Sequence, residues 1–137
     1  MILLDTHVLI WAMEDRRNLG IAAADIIDEA TFSDGAYVSA ITCWEISMLV
    51  DKDRLGLRQG TRAWMEEVLA KPGLFLAPVE SEIAIDAGQL PENPHGDPAD
   101  RIIMATARAL DCPLLTADQA ILDYAAAGHL EAIDARR

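Results

Sequence analysis

Residues 1–10 read MILLDTHVLI. Four apolar side chains run straight into Asp5 and Thr6, and apolar residues resume at Val8. ILLD has the length and composition of a short buried strand, and THVLIWAM reads as a helix that begins at once. A strand heading for the core ends here on a carboxylate. That ending makes sense if other acids of the chain arrive at the same place.

Working outward, the same alternation recurs. IAAADIIDEA (21–30) spaces its apolar residues for a helix and meets a turn at SDG. AYVS (36–39) is a second short strand. AITCWEISMLVDK (40–52) is a helix whose apolar residues cover most of its circumference, so it is expected to be well buried. TRAWMEEVLAK (61–71) is amphipathic, with Thr61 near its cap. LFLAPV (74–79) is a third strand and ESEIAIDAGQL (80–90) a helix. After the breakers PENPHGDP, Pro98 suits the first turn of ADRIIMATARAL (99–110). PLLT (113–116) is a fourth strand, DQAILDYAAAG (118–128) a helix stopped by Gly128, and LEAID (130–134) a final edge strand. Short strands alternating with helices predict an α/β fold around a mainly parallel sheet, in one domain spanning residues 1–137.

Composition narrows the function. Just over half of the 137 residues are apolar, which excludes a disordered chain. The apolar N-terminus lacks a basic flank and is broken by Asp5 and His7, unlike a signal peptide, and no stretch is long enough to span a bilayer. Cys43 and Cys112 lack CxxC spacing and read as buried free thiols in a reducing cytoplasm. The net charge of −12 disfavours a broad basic surface for nucleic acid. It suits acids collected around cations, or a basic protein partner.

Four acids carry the chemistry. In open parallel sheets, active groups gather beyond the carboxyl ends of the strands. Asp5 ends the first strand and Asp118 follows the fourth in LLTAD. Glu45 lies mid-helix, with Ile41, Met48 and Leu49 one turn away, and Asp100 precedes Ile103, Met104 and Ala107 at the same intervals. Taken singly, Asp5 and Asp118 read as helix N-caps, and Asp97 with Asp100 as a capping-box-like pair around Pro98. Capping cannot explain Glu45, for which a snorkelling side chain or an ion pair is the other account. Taken together, the strand-end rule brings Asp5 and Asp118 to one crevice, which Glu45 and Asp100 can face from flanking helices. Carboxylates about 4 Å apart repel by roughly 4 kcal/mol at an effective dielectric near 20. Hard divalent cations, Mg²⁺ or Mn²⁺, resolve that repulsion, whereas no His/Cys spacing suits zinc. Such a site suits phosphodiester hydrolysis.

LLDTHVLIW, VSAITCWEIS, DPADRIIMATA and LLTAD, in that order, resemble the PIN-domain ribonucleases, specifically VapC-type toxins of bacterial toxin–antitoxin pairs. The resemblance runs from Ile2 to about Asp134. It implies a PIN-like three-layer sandwich with a short central sheet flanked by helices. It implies that Asp5, Glu45, Asp100 and Asp118 form the acidic quartet that binds Mg²⁺ or Mn²⁺, with Thr6, Ser39, Thr42 and Thr116 supporting them. It also implies an RNA substrate, a homodimer, and an antitoxin that binds near the acids, with the helices around Trp44 and Trp64 as its apolar groove. Trp11 and Trp44 read as core residues, and Trp64 as either core or groove. His95 reads as an exposed loop residue. Arg101 and Arg108 read equally as RNA contacts or as counter-charges. Two rivals differ in kind. An aspartyl-phosphate enzyme would want a second Asp where His7 stands. A non-catalytic module would use the acids to dock a basic protein partner.

Overall fold

Three-residue and four-residue strands with no polar interior build the centre of the molecule. The computed structural model describes residues 1–94 and 96–137. Strands β1 (Ile2–Leu4), β2 (Ala36–Ser39), β3 (Leu74–Ala77), β4 (Leu114–Thr116) and β5 (Ala132–Asp134) form one sheet in the order β3-β2-β1-β4-β5. Every pairing is parallel, including that of the edge strand β5. The connections carry α1 (Thr6–Glu14), α2 (Ile21–Phe32), α3 (Ala40–Asp51), α4 (Thr61–Leu69), α5 (Ser81–Gly88), α6 (Pro98–Leu110) and α7 (Gln119–Ala126). A 3-10 turn, Arg16–Asn18, falls within the expected polar connection after α1.

β1 is buried on both faces, and its alternate side chains divide the core. Ile2 and Leu4 pack with Val8 and Leu9 of α1, Ile27 of α2 and Trp64 of α4. Leu3 packs with Ile83 of α5, Ile103 and Met104 of α6 and Ile121 of α7. Leu115 and Leu114 of β4 repeat the division. Each such leucine contributes about 1.5–3 kcal/mol by burial. Helices therefore cover both faces, as a three-layer sandwich requires.

The chain order places a switch in the sheet. β1, β2 and β3 run outward to one side, and the chain then crosses to lay β4 on the other side of β1. The crevice beyond the carboxyl ends of β1 and β4 lies at that switch, the usual location of a ligand site in such sheets.

One local expectation is corrected. Helix α3 is not well buried: only Thr42 and Ile46 are, and Trp44 is 56% exposed. Neighbours α1, α4 and α6 cover one stripe of it and leave the rest of its apolar circumference open. Helix α4 has Gly60 as its cap residue, with Thr61 next to it as the first helical position, near the cap as expected. Of the two free thiols, Cys112 is buried and Cys43 half-buried.

Candidate active site

Asp5 leaves β1 and becomes the N-cap of α1, its Oδ1 accepting from the Thr6 amide at 2.9 Å. Its Oδ2 accepts from the Thr116 hydroxyl at 2.6 Å. Thr116 closes β4, and its hydroxyl oxygen in turn accepts from the Asp118 amide at 3.1 Å. Asp118 then caps α7, Oδ1 accepting from the Ala120 amide at 2.8 Å and the Ile121 amide at 3.3 Å. One hydroxyl thus links the two strand ends that flank the switch. Capping and site-building are the same act for both acids.

The helical acids arrive from two further directions. The Thr6 and Thr42 hydroxyls bond to each other at 2.9 Å, tying α1 to α3 one turn before Glu45. Ser39 accepts from the Ile41 amide at 3.2 Å and caps α3. Asp97 caps α6 by accepting from the Asp100 amide at 3.1 Å, and Pro98 follows at the first helical position. Asp5, Glu45, Asp97, Asp100 and Asp118 together line one cleft of about 390 Å³, with His7, Trp11 and Ala117.

Electrostatics register the crowding. The Asp100 carboxyl is pushed up to about 8, first by burial and then by Asp5, Asp97, Asp118 and Glu45. Burial also raises Asp5, against the opposing hydrogen bonds from Thr116 and Thr6. Burial likewise raises Glu45, with the Thr6 hydroxyl working the other way. Among the described residues Oε1 of Glu45 is buried without a hydrogen-bond partner, which is costly unless something electropositive faces it.

These donors suit a hard divalent cation: they are all carboxylate oxygens, mutually repelling, and one is orphaned. As the side chains stand, no set of three or more His, Cys, Asp or Glu among the described residues is drawn in closely enough to hold an ion. The chemistry of the set fits a metal; its spacing as it stands does not yet close around one.

Other sequence readings resolve differently. Trp44 is exposed and not core, whereas Trp64 is fully buried, its Nε1 donating to Glu14 Oε1 at 2.6 Å. Trp64 therefore lies beneath the surface, not on a groove. Trp11, also read as core, rests partly on the core and lines the acidic cleft. Arg101 donates to the carbonyls of Ala87 and Pro94 and to Asn93 Oδ1, at 2.8, 2.7 and 3.1 Å. Arg108 pairs with Asp86 at 2.9 Å and donates to the His129 carbonyl at 2.7 Å. Both arginines brace loops, and neither lines the cleft. His95 lies outside the described residues. His7 lines the cleft without having been a candidate from the sequence, and Asp97, read as a capping acid, both caps α6 and lines the cleft. The i, i+4 spacing of His7 and Trp11 immediately after Asp5 was the available signal.

Comparison with known proteins bears on the fold and the family. The PIN domain family model matches residues 2–127. Ribonuclease VapC22 of Mycobacterium tuberculosis (strain ATCC 25618 / H37Rv) is 31% identical over 123 residues, which are 90% of this chain and 91% of that protein. Among solved structures, VapBC2 from Rickettsia felis, bound to a DNA fragment from its promoter, superposes with a TM-score of 0.71. It is 16% identical, with 97% of this chain and 98% of that one covered. A toxin–antitoxin complex from Klebsiella pneumoniae gives 0.64 at 19% identity, covering 98% and 97%. The family model spans most of the chain, and VapC22 is 31% identical over 90% of it, so this protein belongs to the PIN-domain family.

Proposed function

We propose that this chain is a metal-dependent endoribonuclease and the toxin of a type II toxin–antitoxin pair. The observation that carries the reading is the convergence of Asp5, Glu45, Asp100 and Asp118 on one cleft at the switch between β1 and β4. These four residues would hold Mg²⁺ or Mn²⁺. When bound, the cation supplies Lewis acidity toward a phosphate oxygen and offsets the repulsion among the carboxylates. Thr116 and the Thr6 amide orient Asp5, and the Thr6–Thr42 hydroxyl pair fixes α1 against α3. Family membership and the ribonuclease relative support hydrolysis of RNA.

An antitoxin finds a groove of about 310 Å³ between α3 and α4, lined by Cys43, Ser47, Thr61, Met65 and Leu69. Its occupation by a partner is supported by the likeness in fold to toxins seen in complexes. Self-association into a homodimer is supported by apolar side chains left exposed on the edge strand β3, Phe75 and Leu76, and by Ile85 on α5. The docking-module reading fares worse, because Asp5 is only 6% exposed and Glu45 Oε1 is buried.

The test is incubation of the purified, partner-free chain with total cellular RNA in Mg²⁺ or Mn²⁺, beside reactions with EDTA or Asp5→Asn. Discrete cuts that vanish in both controls are expected. Cuts that persist in EDTA, or in folded Asp5→Asn, would overturn the reading.

A further inference from the structure

We infer that Trp11 is a stacking platform for an unpaired nucleobase of the RNA next to the scissile phosphate. The inference rests on the ribonuclease reading and names its substrate as single-stranded. Apart from Trp11, His7 and Ala117, every described residue lining the cleft is a carboxylate. Those acids, with a cation, address phosphate; none offers a surface to a base.

The three indoles differ in what the fold leaves them. Trp64 is wholly buried and its N–H is committed to Glu14. Trp44 is exposed on α3 and does not line the cleft. Trp11 rests partly on the core cluster around Val8 and Leu9 and forms part of the cleft wall. Held by the core on one side, the ring loses little freedom on binding. Among the described residues it is the one indole of the acidic cleft, and its face is broader than the imidazole of His7, the other ring there.

Its distance from the chemistry is set by the helix. Asp5 caps α1 and Trp11 follows six positions on, roughly 9 Å along the axis at 1.5 Å per residue. A nucleotide or two spans that length. A base must be out of its duplex to offer its face, since paired RNA presents only edges and backbone, and stacking on an aromatic ring tolerates any base identity.

The test is a cycle between protein and substrate. A short oligoribonucleotide spanning a cleavage site mapped on total RNA is prepared intact and with a single abasic nucleotide on either side of the cut. The unsubstituted protein is compared with Trp11→Leu, which keeps an apolar core contact without a π face, and with Trp11→Phe, which keeps both. On one abasic oligonucleotide the unsubstituted protein is expected to lose roughly ten-fold or more in kcat/KM. Trp11→Leu should lose about as much on the intact substrate and nothing further on the abasic one, while Trp11→Phe should retain most of the activity. Losses that multiply in Trp11→Leu, or a Trp11→Phe as impaired as the leucine variant, would overturn the platform and leave the ribonuclease standing. Absence of any cleavage by the unsubstituted protein would overturn both.

Discussion

The Thr116 hydroxyl is the smallest group on which the site depends, donating to Asp5 and accepting from the Asp118 amide. Thr116→Val preserves shape and removes both bonds, so unfolding free energy should fall by about 1–3 kcal/mol in chemical denaturation, with Thr116→Ser restoring most of it. Asp100 gives a pH signature in chelator. Below the ordinary carboxylate value of 3.8 the folded and unfolded chains are both protonated there. Between 3.8 and about 8 the folded chain keeps the proton and the unfolded chain has lost it, so stability should decline as pH rises through that window and level off above it. Burial-raised Asp5 and Glu45 add to the slope with the same sign, whereas Asp134, held down at about 2 by Arg136, acts only in more acidic solution. Thermal melts of Asp100→Asn in EDTA should show a shallower slope, and Mg²⁺ should raise the melting temperature most at the alkaline end. At this scale the sequence was informative about Glu45, because capping cannot account for a mid-helix acid. It misled on Trp44 and gave only the core side of Trp11, because apolar spacing marks a face without saying what covers it.

Among the elements, the α5–α6 connection shows how distant side chains hold a site. Arg101 reaches back to Ala87, Asn93 and Pro94, Tyr124 donates to the Pro91 carbonyl at 2.7 Å, and His129 meets Glu92 at 2.8 Å. Glu92 and Asn93 both adopt positive φ, a conformation that such bracing stabilises. This connection leads into Asp97 and hence into the start of α6. Arg101→Ala should therefore speed hydrogen exchange at the Asn93 amide and reduce RNA cleavage although Arg101 is outside the cleft; unchanged exchange and unchanged cleavage together would refute the bracing role. Gly73 presents a second case at the entry to β3. Its φ is +82°, and a Cβ there would lie 2.2 Å from the Thr31 carbonyl oxygen of α2. Gly73→Ala should cost more than about 1 kcal/mol in denaturant unfolding, because backbone and not a movable side chain blocks the space. Element types were legible in the chain from strand length and helical spacing. The openness of α3 was not, since composition cannot tell a helix covered by its own fold from one left with an apolar flank.

For the whole molecule, the sheet order is what assembles the chemistry. Alternating strands and helices announced the fold class, and the strand-end rule pointed Asp5 and Asp118 at one crevice, but the strand order that makes β1 and β4 neighbours was not legible in the chain. The body around that cleft carries a net charge of −12, and the arginines on α6 are occupied with the fold. Few basic residues are left to grip a phosphate backbone, so log kcat/KM at fixed Mg²⁺ should vary only weakly with log monovalent salt. A slope as steep as that of a protein with 6–10 phosphate contacts would point to a basic groove instead. The pairing of β1 with β4 also has a consequence in time. During synthesis the chain emerges with Asp5 early and Asp118 late, and Thr116, which orients Asp5, is made just before Asp118. A growing chain on the ribosome therefore holds half a cleft. The cleft is complete only after β4 is released and pairs with β1, so its two strand ends meet late in the life of the growing chain.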